Sequence, residues 1–274
     1  MRIDAHQHFW NYHPITHDWI DDSMQKIRQN FLPDQLHPLL KAAKIDGCVA
    51  VQAEQSVAET SFLLSLASQH EWIKGVVGWV DLKAENLEEK LIHYQQFPKL
   101  KGFRHVLQGE EPSFMLSDQF MKGIGLLDKF GYSYDLLIFP KHLDAALTLV
   151  KKFPHQRFVI DHIAKPFIKD AILEGWIQGM IDLAACSNVS CKVSGMVTEA
   201  NWTNWDQTDF VPYLDTVVAI FGIDRLLFGS DWPVCLVAAE YPEMLSIVET
   251  YFSKYSISEQ AAFFGNNAID FYRL

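Results

Sequence analysis

The chain is poor in several things that would have pointed to particular function classes. It holds only four cysteines, Cys48, Cys186, Cys191 and Cys235, and no two of them form a CxxC pair. Their places in or beside apolar runs predict buried, reduced thiols rather than a disulfide framework or a zinc knuckle. Basic residues are scarce, 23 Lys and Arg against 34 Asp and Glu, for a formal net charge of -11. No basic run exceeds the pair Lys151-Lys152. That excludes a nucleic-acid phosphate backbone as partner and argues against an acidic membrane surface. No apolar run approaches the ~20 residues of a membrane span. The first strand-like run begins at Arg2 and the first chemistry-bearing residue is His6, which leaves no room for a cleaved leader. These absences together predict a cytoplasmic protein. No Gly-rich GxGxxG follows the first strand, so a dinucleotide-binding open sheet is disfavoured. No linker rich in Pro, Gly or Ser divides the chain.

What is present is an alternation. Short β-branched runs at 2–8, 47–52, 75–82, 101–106, 132–138, 157–163, 189–194 and 225–230 read as strands. Between and after them, 59–70, 87–97, 118–130, 141–153, 173–186, 210–221, 241–255 and 258–271 read as amphipathic helices, with Ser258 as the start of the last. Eight strands with right-handed helical crossovers in 274 residues predict a single domain over 1–274. The expected architecture is a (β/α)8 TIM barrel, usually about 250 residues. Stretches 10–38 and 198–208 read as irregular insertions after strands 1 and 7, on the face where such barrels carry their sites.

All eight strands end in polar residues: His6-Gln7-His8, Gln52 with Glu54, Asp81, Arg104-His105, Tyr134-Asp135, Asp161-His162, Lys192 with Ser194, and Ser230-Asp231. A structural core alone does not require that pattern. His6 and His8 stand two apart on a strand, so their rings share a face and converge on one point, as metal ligands or carbonyl donors do. Asp231, in FGSDWP, is a candidate general base for water, or else a helix N-cap ahead of Pro233. His162 taken alone is an ordinary strand histidine; beside the other two it joins the site. His13, His17, His37, His70, His93, His142 and His155 fall in loops or on helices and are expected to be solvent-exposed. Trp10, Trp202, Trp205 and Trp232 lie in the loops after strands, as rim anchors or as platforms for a sugar face.

The run DAHQH at 4–8 resembles the HxH first strand of the amidohydrolase superfamily. VVGWVDL at 76–82, LKGFRHV at 100–106, VIDHIAKP at 159–166, CKVSGM at 191–196, LLFGSDWPV at 226–234 and NNAIDFYRL at 266–274 resemble its sugar-lactonase branch, which holds fuconolactonases and rhamnonolactonases and has pyrone-dicarboxylate lactonases as relatives. This resemblance implies hydrolysis of a cyclic ester, with His6, His8, His162 and Asp231 as catalytic residues. The same four would be the ligands of any metal. A binuclear site in that superfamily takes a carboxylated lysine at the end of strand 4. Here that end is Arg104-His105, and Lys101 lies about 10 Å short of it at ~3.3 Å per residue. The expectation is therefore at most one ion, a mononuclear Zn2+ or none. Gln52, Arg104, His105, Lys192, Trp10 and Trp232 are the expected substrate contacts, the substrate being a small-molecule lactone. Two other readings use the same residues: a metal-dependent decarboxylase of an aromatic or muconate-like acid, and a non-catalytic sugar-binding barrel.

Overall fold

The computed structural model describes residues 1–274. Its strands are β1 Ile3–Gln7, β2 Gly47–Val51, β3 Ile73–Gly78, β4 Leu100–His105, β5 Ser133–Leu136, β6 Phe158–Ile160, β7 Val189–Val193 and β8 Leu226–Phe228. They form one parallel sheet in the order β1 to β8. The ring is closed by the segment after β8. Asp231 N donates to His6 O at 2.8 Å and His8 N to Trp232 O at 2.7 Å. This is the eight-stranded barrel that the strand count predicts, ringed by helices.

The helices are α1 Pro33–Ala42, α2 Val57–Gln69, α3 Leu87–Tyr94, α4 Asp118–Phe130, α5 Leu143–Lys152, α6 Ile177–Ala184, α7 Val211–Phe221, α8 Tyr241–Phe252, α9 Ile257–Ala261 and α10 Asn267–Tyr272. Two expectations are corrected here. Stretch 10–38 is not wholly irregular, because it contains a 3-10 helix, Asp22–Ile27, and the first turns of α1. Pro33 opens α1, where its missing N–H is no loss, and Pro38 inside it forfeits one i→i−4 bond. Buried Pro33, Leu36 and Leu40 hold the helix by packing instead. The C-terminal helix is capped by Ser256, whose side chain accepts from Glu259 N in a capping box, rather than starting at Ser258. A π-helical turn, Ala262–Asn266, then separates α9 from α10.

Most of the apolar core lies between the strands and the helices. Inside the barrel there is only a small layer, including Ile3, Ala5, Val49, Val51, Val77, Val159 and Leu227. Tyr272 of α10 joins that layer and plugs the end of the barrel away from the strand C-termini. Polar side chains take up the rest of the interior. Three cysteines, Cys48, Cys191 and Cys235, are buried free thiols, and Cys186 is half-buried. No helix is long and apolar enough to cross a membrane.

Candidate active site

The C-terminal ends of the strands bring His6, His8, His162 and Asp231 together. His6 Nε2 and His8 Nε2 stand 3.2 Å apart. Asp231 Oδ1 lies 3.4 Å from His8 Nε2, 3.8 Å from His6 Nε2 and 3.8 Å from His162 Nε2. Each ring is held from behind. His8 Nδ1 meets Val51 O at 2.8 Å, which makes it the protonated nitrogen. His162 Nδ1 meets Ser194 Oγ at 2.9 Å. Burial drives both His6 and His162 well below the ordinary imidazole range, so both rings are neutral near pH 7. Burial alone would raise Asp231, but the facing imidazoles of His162 and His8 outweigh it and hold the carboxylate below its ordinary range.

The backbone here takes uncommon conformations. Residues His162, Ile163, Ala164 and Lys165 all have positive φ, as does Asp231 at 57°. Asp231 is therefore not a helix N-cap. Gly195, at φ 58°, lies under the His162 ring, and a Cβ there would meet His162 Nδ1 at 2.5 Å. Only glycine tolerates both the angle and the contact.

Above the four residues opens a cavity of about 500 Å3. His8, Arg104, His162 and Asp231 form its floor, and Trp19, Glu54, Lys165, Glu199 and Trp202 stand in its walls. Both insertions contribute, through Trp19 and through Glu199 and Trp202. Of the expected substrate contacts only Arg104 lines the cavity. Its Nη1 donates to Asp161 Oδ2 at 3.0 Å and its Nη2 to Gln52. Gln52 is wholly buried behind it. Alternation along β4 turns the next residue, His105, outward, where it stacks on Phe114 and pairs with Glu110. Lys192 lies within the barrel, 2.6 Å from Asp135 and 2.9 Å from Asp161. Trp10 donates to Gln29 O and packs on Phe31, and Trp232 packs on Phe9 and Phe31, so both are rim anchors. Trp205 likewise donates to Ala238 O. His17 and His142, expected in solvent, are buried.

Sequence reasoning did not pick out Asp161, Trp19, Lys165 or Glu199 as site residues. Asp161 carries a signal, standing beside His162 at a strand end. The other three sit in loops with no periodicity to read.

His6, His8 and Asp231 could hold one metal ion, their donor atoms all lying within 4.8 Å of one another. Their separations of 3.2–3.8 Å bracket the roughly 3.4 Å edge of a tetrahedron with 2.0–2.2 Å bonds, as for zinc. The donor set, two imidazoles and a carboxylate, suits that ion.

Several known proteins share this arrangement of chain. An L-fucono-1,5-lactonase of Burkholderia multivorans is 39% identical over 286 residues, spanning 100% of this chain and 96% of that protein. An L-fucono-1,5-lactonase of Burkholderia ambifaria is 36% identical over 279 residues, with 100% and 96% covered. The crystal structure of an amidohydrolase from Burkholderia multivorans with bound zinc superposes with a TM-score of 0.97 at 40% identity, covering 100% of this chain and 99% of that one. The family model for amidohydrolases matches residues 3–274, and with these relatives it establishes that the chain is an enzyme of the amidohydrolase family.

Proposed function

We propose that this enzyme opens the ring ester of a sugar-derived aldonolactone, such as an L-fucono- or L-rhamnonolactone. The observation that carries the reading is a buried carboxylate facing three imidazoles at the floor of a cavity whose walls suit a neutral polyol. Glu54 and Glu199 can accept hydrogen bonds from sugar hydroxyls, and the indoles of Trp19 and Trp202 can cover a sugar face. The lactonase relatives support the same substrate class.

In this mechanism Asp231 accepts the proton of the attacking water. His162, whose Nδ1 is held by Ser194, donates from Nε2 toward the oxygen on which charge develops. Asp231, now protonated, returns the proton to the leaving ring oxygen. A zinc ion held by His6, His8 and Asp231, with His162 alongside, would supply Lewis acidity toward the carbonyl; the residues accommodate at most one such ion.

Arg104 separates this reading from a decarboxylase. A substrate carboxylate needs a free cationic fork. Both arms of Arg104 are engaged by Asp161 and Gln52, and Lys165 pairs with Glu199 at 3.1 Å. The deciding experiment is a pH-indicator screen over aldonolactones and carboxylated aromatics, with and without chelator. Acid release from a neutral lactone is the expected result. Carbon dioxide release from an aromatic acid, with no lactone opened, would overturn the proposal.

A further inference from the structure

Two lysine or arginine side chains line the cavity, Arg104 and Lys165, and they are neutralised in different ways. Arg104 is held from inside the barrel. Its Nη1 donates at 3.0 Å to Asp161 Oδ2, and Asp161 is wholly buried beyond the reach of a ligand. Lys165 is held from within the cavity wall itself. Its Nζ lies 3.1 Å from Glu199 Oε1, and both side chains keep part of their surface open, 17% and 20%. The pair joins two segments distant in sequence: the left-handed turn at 162–165 after β6, and the 3-10 turn Val197–Glu199 after β7.

Both ends of the pair are set in advance. Lys165 N donates to His162 O at 2.8 Å, so the ammonium and the His162 ring leave the same turn. The Phe139 ring lies 5.5 Å from Nζ and gives the charge a second anchor. Thr198 Oγ donates to Gly195 O at 2.6 Å and Glu199 N to Met196 O at 3.2 Å, which fixes the turn that carries the carboxylate. A carboxylate held by its own chain has a high effective concentration at the ammonium. One arriving from solution must displace it and then lie beside a like charge. With Glu199 neutralised, Lys165 would be an unpaired cation open to the cavity, able to receive a carboxylate.

We infer that Glu199 is a specificity-determining residue: it masks Lys165, so that the site takes uncharged ligands and refuses those that carry a carboxylate. As a statement about substrate this rests on the lactone reading and narrows it to lactones whose ring substituents are uncharged. It bears on product as well. Water adds its hydroxyl to the acyl carbon, a proton goes to the ring oxygen, and the acid so formed loses a proton to solvent. The neutral substrate thus becomes an anion, and the same mask leaves that anion without a cationic partner in the wall, which favours its release.

Gluconate and sorbitol make the probe pair, two six-carbon polyols of which one carries a carboxylate. In calorimetric titrations at matched metal content, Glu199→Gln should bind gluconate at least about tenfold more tightly than wild type, with sorbitol changed less than twofold. The gain should shrink as salt is raised, because screening acts on charge pairs. It should vanish in the double variant that also carries Lys165→Met. No gain in Glu199→Gln, or a gain that survives in the double variant, would overturn the inference. Glu199→Ala serves the same test if the glutamine variant does not fold. These titrations need no turnover, so their outcome is separate from that of the lactone reading. Kinetics then join the two. In Glu199→Gln, kcat/KM for glucaro-1,4-lactone, which bears a free carboxylate, should rise at least about tenfold relative to that for a neutral aldonolactone. A wild-type enzyme that opens no lactone sinks the lactone reading, and the titrations alone then decide the role of Glu199.

Discussion

At the scale of single residues, Asp231 and Glu59 show that burial, which pushes both carboxyls up, is outweighed by neighbours at one and not at the other. Asp231 stays ionised because imidazoles face it, and an ionised carboxylate is the form a base requires. Asp231→Asn keeps the shape and removes the proposed base. Its kcat should fall by on the order of 100-fold or more while its circular dichroism is unchanged. Glu59 has no such partners. It accepts from the backbone N–H groups of Ala53 and Glu54, yet burial raises it from 4.5 to about 8. The folded chain then keeps a proton that the unfolded chain has released. This favours folding below pH 4.5, and the contribution is lost as the pH climbs toward 8. Urea unfolding from pH 5 to 8 should show wild-type stability declining relative to Glu59→Gln, with a slope on the order of 1 kcal/mol per pH unit. Equal slopes in the two proteins would show Glu59 to be ionised in the fold. The proposed quartet is legible in the sequence because each member sits at or just beyond a strand end. The direction of Lys192 is not, because a lysine at a strand end has reach enough to point up into a cavity or down the barrel axis.

At the scale of elements, the two insertions after β1 and β7 supply the walls of the cavity. Trp202 is fixed by its Nε1 donating to Thr198 O at 2.8 Å, which leaves its ring as a wall of the site. Trp202→Ala removes that wall and leaves the floor intact. KM for the preferred lactone should rise about tenfold with kcat changed far less, the mark of binding made equally in ground and transition state. A kcat loss at unchanged KM would place Trp202 in the chemistry instead. Strands and helices could be read from periodicity, whereas the places of Trp19, Lys165 and Glu199 could not, since a loop side chain is aimed by contacts distant in sequence. The same limit hides α1. Its two prolines resemble loop punctuation, and only the packing of Leu36 and Leu40 shows that they are tolerated within a helix.

At the scale of the molecule, the eightfold alternation carries the barrel, and the barrel decides which side chains stand at the strand ends. With Arg104 occupying the inward position of β4 and paired to Asp161, no lysine reaches the place of a bridging ligand. Elemental analysis of protein grown without added metal should find about one zinc per chain or fewer; two equivalents would contradict this arrangement. The left-handed run at 162–165 has a kinetic consequence. A left-handed conformation costs roughly 1–2 kcal/mol per non-glycine residue, so this turn is opposed by its own local preference and cannot act as an early nucleus. It is imposed by partners that arrive from elsewhere: Trp176 Nε1 donating to Ile163 O at 2.7 Å, and Ser194 holding the His162 ring. The turn can be set only after α6 and β7 have docked. In refolding from urea, far-UV ellipticity should therefore recover first and catalytic activity later, because the last loop to find its shape is the one that carries His162, proposed to act in the chemistry.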